Sequence, residues 1–161
     1  MRRLLLVRHA KSSRDDPALA DRDRPLNERG LHDAPRMGER LAKRDLRPDL
    51  IVSSPALRAL TTARLMAQKL DYDAEAIVVN ESVYAATPDA LVEVIRALRD
   101  EPKCVMLVGH NPEMSELARR WSSDIDELPT CAVVALRFDI RSWSKLGAKA
   151  PVEVAVYAPK K

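Results

Sequence analysis

Leu4-Leu5-Leu6-Val7 is a continuous apolar run, and Arg8 and His9 follow it at once. Such a run is typical of a central strand that is buried on both faces of a sheet. Similar runs occur at residues 50–54 and 104–108, a shorter one lies between them at residues 77–79, and a helical pattern follows each of the three. Because strands and helices alternate, the sequence predicts an α/β fold with a mostly parallel or mixed sheet and helices on both faces.

The predicted helices have clear start signals. Asn27 precedes the first helix, whereas Thr87-Pro88 and Asn111-Pro112 each place a capping side chain before a proline. Residues 132–138 and 152–157 are two more strand-like runs, and no helical pattern separates them. We therefore expect the chain to end in an antiparallel pair of strands joined by a long loop.

Composition excludes several classes of protein. The chain has 161 residues, of which 46% are hydrophobic, and its 27 basic residues nearly balance 24 acidic ones. This length predicts one domain spanning residues 1–161, and the balance argues against a highly charged disordered chain. No apolar run approaches the roughly 20 residues that cross a membrane. The basic residues are interleaved with acidic ones and only 4% of residues are aromatic, so we do not expect nucleic-acid binding.

The two cysteines predict neither a zinc site nor a disulfide framework. Cys104 and Cys131 stand far apart in apolar stretches and form no CxxC motif, which is typical of buried, reduced thiols. The apolar run near the N-terminus is too short for a signal peptide. Together these features predict a cytoplasmic protein.

Polar side chains follow three of the predicted strands. Arg8-His9 follows the first strand, Ser53-Ser54 ends the second with Arg58 one helical turn later, and His110 follows the fourth. Ligands of α/β proteins bind at the carboxyl ends of the strands, where helix N-termini add positive potential. Two arginines and two histidines at this edge predict a site for an anion the size of phosphate.

These residue types suit phosphoryl transfer. Arginine binds phosphoryl oxygens through two N–H groups, and a neutral histidine can attack phosphorus to form a covalent intermediate. A second, protonated histidine would stabilise the transition state. The chain contains no Gly-rich phosphate loop and no Asp/His cluster for a metal, so we expect neither cofactor nor metal.

Four separate motifs resemble those of the histidine phosphatase, or phosphoglycerate mutase-like, superfamily. Arg8-His9-Ala10 is similar to its RHG signature, and residues 25–30, 53–63 and 108–112 are similar to its PLTxxG, SSPLxRAxQTA and V(G/S)H segments. The resemblance implies a three-layer α/β/α sandwich. It also implies a phosphate pocket formed by Arg8, His9, Arg58 and His110, with His9 as the nucleophile.

Within that superfamily the chain most resembles the small SixA-type phosphohistidine phosphatases, in residues 8–13, in residues 84–89 and in length. This resemblance implies hydrolysis of phosphohistidine on a signalling or phosphotransfer protein. Two alternatives remain open: a broad phosphatase for small phosphate esters, and a non-catalytic module that binds phosphoproteins. Ala10 and Lys11 depart from the pattern of the mutases, which weakens any transfer of mutase substrate contacts.

The sequence does not settle which group protonates the leaving atom. Glu81 is the positional candidate for this acid, and Asp15, Asp16 and Asp23 are further ones. A phosphohistidine substrate would need the acid less, because its phosphoramidate bond is labile. Lys11 and Arg24 are either solvated or contact a phosphoprotein substrate. Ser53 and Ser54 are expected to cap the following helix rather than to act as nucleophiles.

Overall fold

The computed structural model describes residues 1–160 and contains one six-stranded sheet. The strands are β1 (Arg2–Arg8), β2 (Leu50–Ser53), β3 (Val78–Val79), β4 (Cys104–Gly109), β5 (Val133–Phe138) and β6 (Glu153–Tyr157). The α-helices are α1 (Glu28–Lys43), α2 (Leu57–Lys69), α3 (Pro88–Arg96) and α4 (Glu113–Trp121). Short 3-10 turns lie at Asp21–Asp23, Ala74–Ala76, Glu81–Val83 and Trp143–Lys145.

The strands lie in the order β3-β2-β4-β1-β5-β6. Strands β1 to β4 pair in parallel, whereas β5 pairs antiparallel with both β1 and β6. The sheet is therefore mixed and mostly parallel. The antiparallel pair at the end of the chain, predicted from residues 132–138 and 152–157, is confirmed.

Side chains on the two faces of the sheet form separate hydrophobic clusters. Residues of α3 and α4 pack with Leu4 and Leu6 on one face, and residues of α1 and α2 pack with Leu5 and Val7 on the other. Because successive side chains of a strand point to opposite faces, the apolar run of β1 supplies both clusters. This is the predicted three-layer α/β/α sandwich, with β1 near its centre.

Local sequence signals place the helix starts. The Asn27 side chain accepts the N–H of Gly30 at the start of α1, and Thr87 accepts the N–H of Ala90 at the start of α3. Pro35 lies inside α1 rather than in its first turn. The glycine at position 30 has a packing reason, because a Cβ atom there would stand 2.2 Å from the carbonyl oxygen of Lys11. This close approach fixes the loop that follows β1 against α1.

Within residues 1–160, no helix combines the length and the apolar character that crossing a membrane requires.

Candidate active site

A cavity of about 310 Å³ lies where β1 and β4 end and α2 and α4 begin. It is lined by Arg8, His9, Lys11, Ser12, Arg14, Asp21, Arg24, Arg58, His110, Asn111 and Thr130. Five of these residues are lysine or arginine, and one carries a carboxylate. The four residues predicted to form the phosphate pocket therefore line one cationic cavity, together with Lys11 and Arg24.

His9 follows β1 directly, and its ring is held by the backbone. The Nδ1 atom lies 2.6 Å from the carbonyl oxygen of Ala10, so Nδ1 carries the proton and Nε2 keeps a free lone pair. Burial, together with the charges of Arg58 and Arg8, lowers the pKa of His9 to about 3. At neutral pH the imidazole is therefore uncharged and suited to nucleophilic attack.

His110 follows β4 and contacts a serine of the neighbouring strand end. Its Nε2 atom lies 2.7 Å from the Ser54 hydroxyl, which also accepts the N–H of Ala56 at 3.2 Å. Ser54 Oγ has no other hydrogen bond in which it could donate its one proton, so we assign that proton to the contact with Nε2 and the ring proton of His110 to Nδ1. Burial and the charge of Arg58 lower the pKa of His110 to about 4. In the absence of a bound anion His110 is therefore neutral at neutral pH, and it can offer an N–H group to a ligand; the protonated form expected from the sequence would need the charge of a bound phosphoryl group to raise the pKa.

The two arginines are anchored by carbonyl oxygens. Arg8 donates from Nη1 to Leu128 at 2.7 Å, and Arg58 donates from Nη1 to the carbonyl oxygen of Asp21 at 2.6 Å. Among the described residues, five buried side-chain nitrogens lack a hydrogen-bond partner, and three of them belong to Arg8, Arg58 and His110. Unpartnered buried donors cost free energy, so their concentration around one cavity indicates a ligand-binding role.

Lys11 and Arg24 belong to the loop between β1 and α1. The Arg24 side chain is only 12% exposed, because it donates to Ser12 at 2.8 Å and to the Asp21 carboxylate at 3.2 Å. Arg24 is thus a fixed part of the cavity wall. Lys11 is exposed at the mouth of the cavity.

Glu81, the predicted candidate for the acid, is not among the residues that line the cavity. It forms an ion pair with Arg22, and its side chain is 69% exposed. This contact with Arg22 lowers the pKa of Glu81, so the carboxyl is ionised at neutral pH and has no proton to donate. Asp15, Asp16 and Asp23 also lie outside the cavity lining. The structure therefore brings none of the four predicted carboxylates into the cavity.

The carboxylate that does line the cavity is Asp21, which the sequence analysis missed. It accepts hydrogen bonds from Tyr84 at 2.5 Å and from Arg58 and Arg24 at 3.0 and 3.2 Å. These contacts, that of Tyr84 first, hold the pKa of Asp21 well below its usual range. Asp21 stands in a polar loop rich in aspartate and arginine, so neither periodicity nor a motif distinguishes it from its neighbours.

Two hydroxyl groups have contacts that the sequence analysis did not predict. Ser54 was expected to cap α2, but that helix has no side-chain cap, and Ser54 contacts His110 instead. Thr62 accepts the backbone N–H of Ala10 at 3.0 Å beside the nucleophile candidate. Both residues belong to the segment 53–63 that resembles SSPLxRAxQTA, so this motif is the feature of the sequence that could have identified them. Among residues 1–160, no three His, Cys, Asp or Glu side chains are grouped as a metal site would require.

The fold and the cavity define an α/β protein with an anion site around two histidines. Residues 4–83 match the sequence profile of the histidine phosphatase superfamily, branch 1. A chloroplastic protein of Arabidopsis thaliana is 34% identical over 152 residues, which cover 89% of this chain and 70% of that protein.

Solved structures agree with this match. The crystal structure of a candidate phosphohistidine phosphatase SixA from Agrobacterium tumefaciens superposes with a TM-score of 0.75 at 34% identity, over 84% of this chain and 91% of that one. A protein histidine phosphatase SixA complexed with tungstate shares the fold, with a TM-score of 0.74 at 22% identity over 85% and 88% of the two chains. The chain belongs to the histidine phosphatase superfamily, among its SixA-type members, as its motifs predicted. This membership supports a phosphatase enzyme.

Proposed function

We propose that this protein is a phosphohistidine phosphatase that forms a covalent phospho-His9 intermediate and needs no metal ion. One observation carries the proposal: a neutral imidazole with its Nδ1 atom bound to the backbone lies in a small cavity lined by five cationic side chains. The lone pair of Nε2 is then free for phosphorus, and the cations suit the oxygens of a phosphoryl group.

The reaction would proceed in two displacements. His9 Nε2 attacks phosphorus, an Nε2–P bond forms, and the P–N bond to the substrate imidazole breaks. The leaving imidazole takes a proton from solvent. Water then attacks the phospho-His9 phosphorus, which releases phosphate and restores His9. Arg8, Arg58 and the Nδ1–H group of His110 would stabilise the charge on the equatorial oxygens.

Two features favour phosphohistidine over a phosphate ester. An ester oxygen is a poor leaving group without an acid, yet Glu81 lies outside the cavity and Asp21 is held ionised by its three donors. An imidazole leaving group is protonated near neutral pH and needs no strong acid. A phosphohistidine-bearing protein partner and a cytoplasmic location belong to the same proposal.

The test compares substrates. A phosphotransfer protein carrying radiolabelled phosphohistidine is incubated with the enzyme beside a panel of phosphorylated metabolites. We expect faster turnover of the phosphohistidine protein, whereas faster turnover of metabolites would favour the ester phosphatase.

A second measurement examines the intermediate. Acid-labile label should be trapped on the wild type and on the control variant His32→Ala, but not on His9→Ala. His32 is an exposed residue of α1 and does not line the active-site cavity. Stable binding of the phosphoprotein without turnover or trapped label would identify a binding module instead.

A further inference from the structure

A carboxylate is an unexpected component of an anion site. Asp21 is the one acidic side chain among the cavity-lining residues, and it contacts Arg58, one of the two arginines predicted to bind the phosphoryl group. Both terminal nitrogens of Arg58 are engaged by this residue, Nη1 with its carbonyl oxygen at 2.6 Å and Nη2 with its carboxylate at 3.0 Å. Nε of Arg58 has no partner and is buried, so the guanidinium keeps its Nε–H group and one N–H group on each terminal nitrogen for other partners.

A phosphoryl group that binds Arg58 therefore meets competition. Bidentate binding of a phosphate needs two N–H groups of one guanidinium, and Asp21 already occupies one N–H group on each terminal nitrogen of Arg58. Arg58 is only 6% exposed, so it has little room to turn towards a different partner. Two negative groups on one guanidinium also repel each other. We therefore expect the Asp21 carboxylate to oppose phosphoryl binding at Arg58 and to move away when the phosphoryl group binds.

The exposed position of Asp21 means that moving its carboxylate costs little free energy. Its side chain is 53% exposed, and no residue of the 3-10 turn Asp21–Asp23 is buried. When the carboxylate leaves, it releases two donors besides Arg58: the hydroxyl of Tyr84 and the Nε atom of Arg24. A small oxyanion between Arg8 and Arg58 leaves both of these donors unpaired, whereas a larger substrate with acceptors beside its phosphoryl group can pair with them.

We propose that Asp21 is a specificity-determining residue that acts as a displaceable internal anion. It weakens the binding of free oxyanions and small phosphate compounds. It favours substrates that carry acceptor groups, such as the carboxylates of an acidic protein segment, within reach of Arg24 and Tyr84. This inference rests on the proposed phosphatase function and adds the class of substrate that the site selects.

The test uses Asp21→Asn, with Asp23→Asn as the matched control. Both residues stand in the same turn, but Asp23 does not line the cavity. Binding of tungstate, a tetrahedral dianion, is measured by calorimetry. A hydrogen bond to a charged group is commonly worth enough to change affinity about tenfold, so Asp21→Asn should bind tungstate about tenfold more tightly. Asp23→Asn should stay within about twofold of the wild type.

Kinetics test the specificity itself. We expect Asp21→Asn to lower KM for phosphoramidate, a small P–N compound, with little change in kcat. The ratio of kcat/KM for a phosphohistidine protein to kcat/KM for phosphoramidate should fall about tenfold. Tyr84→Phe removes one donor that holds Asp21, so it should tighten tungstate binding in the same direction by about threefold. This second variant keeps the proposal testable if Asp21→Asn folds poorly.

Other outcomes overturn the inference. Weaker tungstate binding in Asp21→Asn would show that Asp21 supports Arg58 rather than competing for it. A fall in kcat with unchanged tungstate affinity would show a proton-transfer role. If the wild type binds tungstate and turns over phosphohistidine but Asp21→Asn behaves identically, only this inference fails. If neither protein binds tungstate or cleaves any P–N substrate, the proposed function fails as well.

Discussion

The cavity has a floor and a rim that are built in different ways. The floor consists of Arg8, His9, Arg58 and His110. The rim consists of Asp21, Arg22, Glu81 and Tyr84, which form a chain of exposed polar contacts. Floor residues end or follow buried strands or begin a helix, and three of them, His9, Arg58 and His110, are only 6% to 8% exposed, whereas Arg8 is half-buried. Rim residues come from loops and 3-10 turns.

This difference separates chemistry from selection. The floor contains buried donors without hydrogen-bond partners and buried neutral histidines. Such an arrangement lowers the stability of the fold, and it indicates a site that binds a ligand. The rim pairs its charges with each other in solvent, where exposed ion pairs contribute little to stability. Rim contacts can therefore be exchanged for contacts to a substrate, whereas the floor cannot rearrange without loss of its geometry.

The largest effect is expected on the floor, from Arg58→Ala. Loss of a preorganised donor to the transition state commonly costs about 10²–10³-fold in rate, so kcat/KM on a phosphohistidine protein should fall by that factor. The control is Arg64→Ala, an exposed arginine of the same helix, α2. Thermal unfolding of both variants separates a kinetic loss from misfolding. A loss below about fivefold in a folded Arg58→Ala protein would contradict the role given to the floor.

Ser54→Ala tests how the floor holds its second histidine. Without the hydroxyl, nothing fixes the proton of His110 on Nδ1, and we expect kcat to fall about tenfold because a neutral hydrogen bond and the favoured tautomer are lost. The control is Ser53→Ala, which removes an equally buried hydroxyl that donates to the carbonyl oxygen of Ser54. If Ser53→Ala and Ser54→Ala lose the same activity, the effect is one of packing. A shift of the pH–rate profile in Ser54→Ala alone would support the tautomer assignment.

The neutral histidines of the floor also predict how stability depends on pH. The pKa of His110 is about 4 in the folded protein, below its ordinary value, so between pH 4 and 6.5 the unfolded chain binds a proton that the folded chain does not. The free energy of unfolding should therefore fall as pH decreases through this window, by up to about 1.4 kcal/mol per pH unit for this residue. Urea unfolding at pH 7, 6 and 5 should show a shallower slope in His110→Asn than in the wild type or in His32→Asn. Equal slopes in all three proteins would mean that His110 is protonated in the fold.

The same contrast explains what the sequence could predict. The apolar run before Arg8 and His9 identifies a buried strand, and the carboxyl ends of parallel strands meet at one edge of a sheet. The positions of the strands in the sequence were therefore enough to predict which residues form the floor. Cap signals such as Asn27 and Thr87-Pro88 located helices for the same local reason. Asp21 could not be found in this way, because the contact that selects it over Asp23 depends on how the loop after β1 folds back onto α2 and Tyr84.

The smallest effect is expected on the rim, from Glu81→Gln. Glu81 lies outside the cavity lining and forms an ion pair with Arg22, so we do not expect it to supply the proton. Exposed surface substitutions usually change free energies by less than about 0.5 kcal/mol, and kcat on a phosphohistidine protein should therefore stay within about twofold of the wild type. Arg22→Gln removes the other half of the ion pair and controls for its loss. If Glu81→Gln loses about tenfold or more in kcat while Arg22→Gln does not, Glu81 reaches the leaving group during catalysis, and the division between a chemical floor and a selective rim is wrong at that residue.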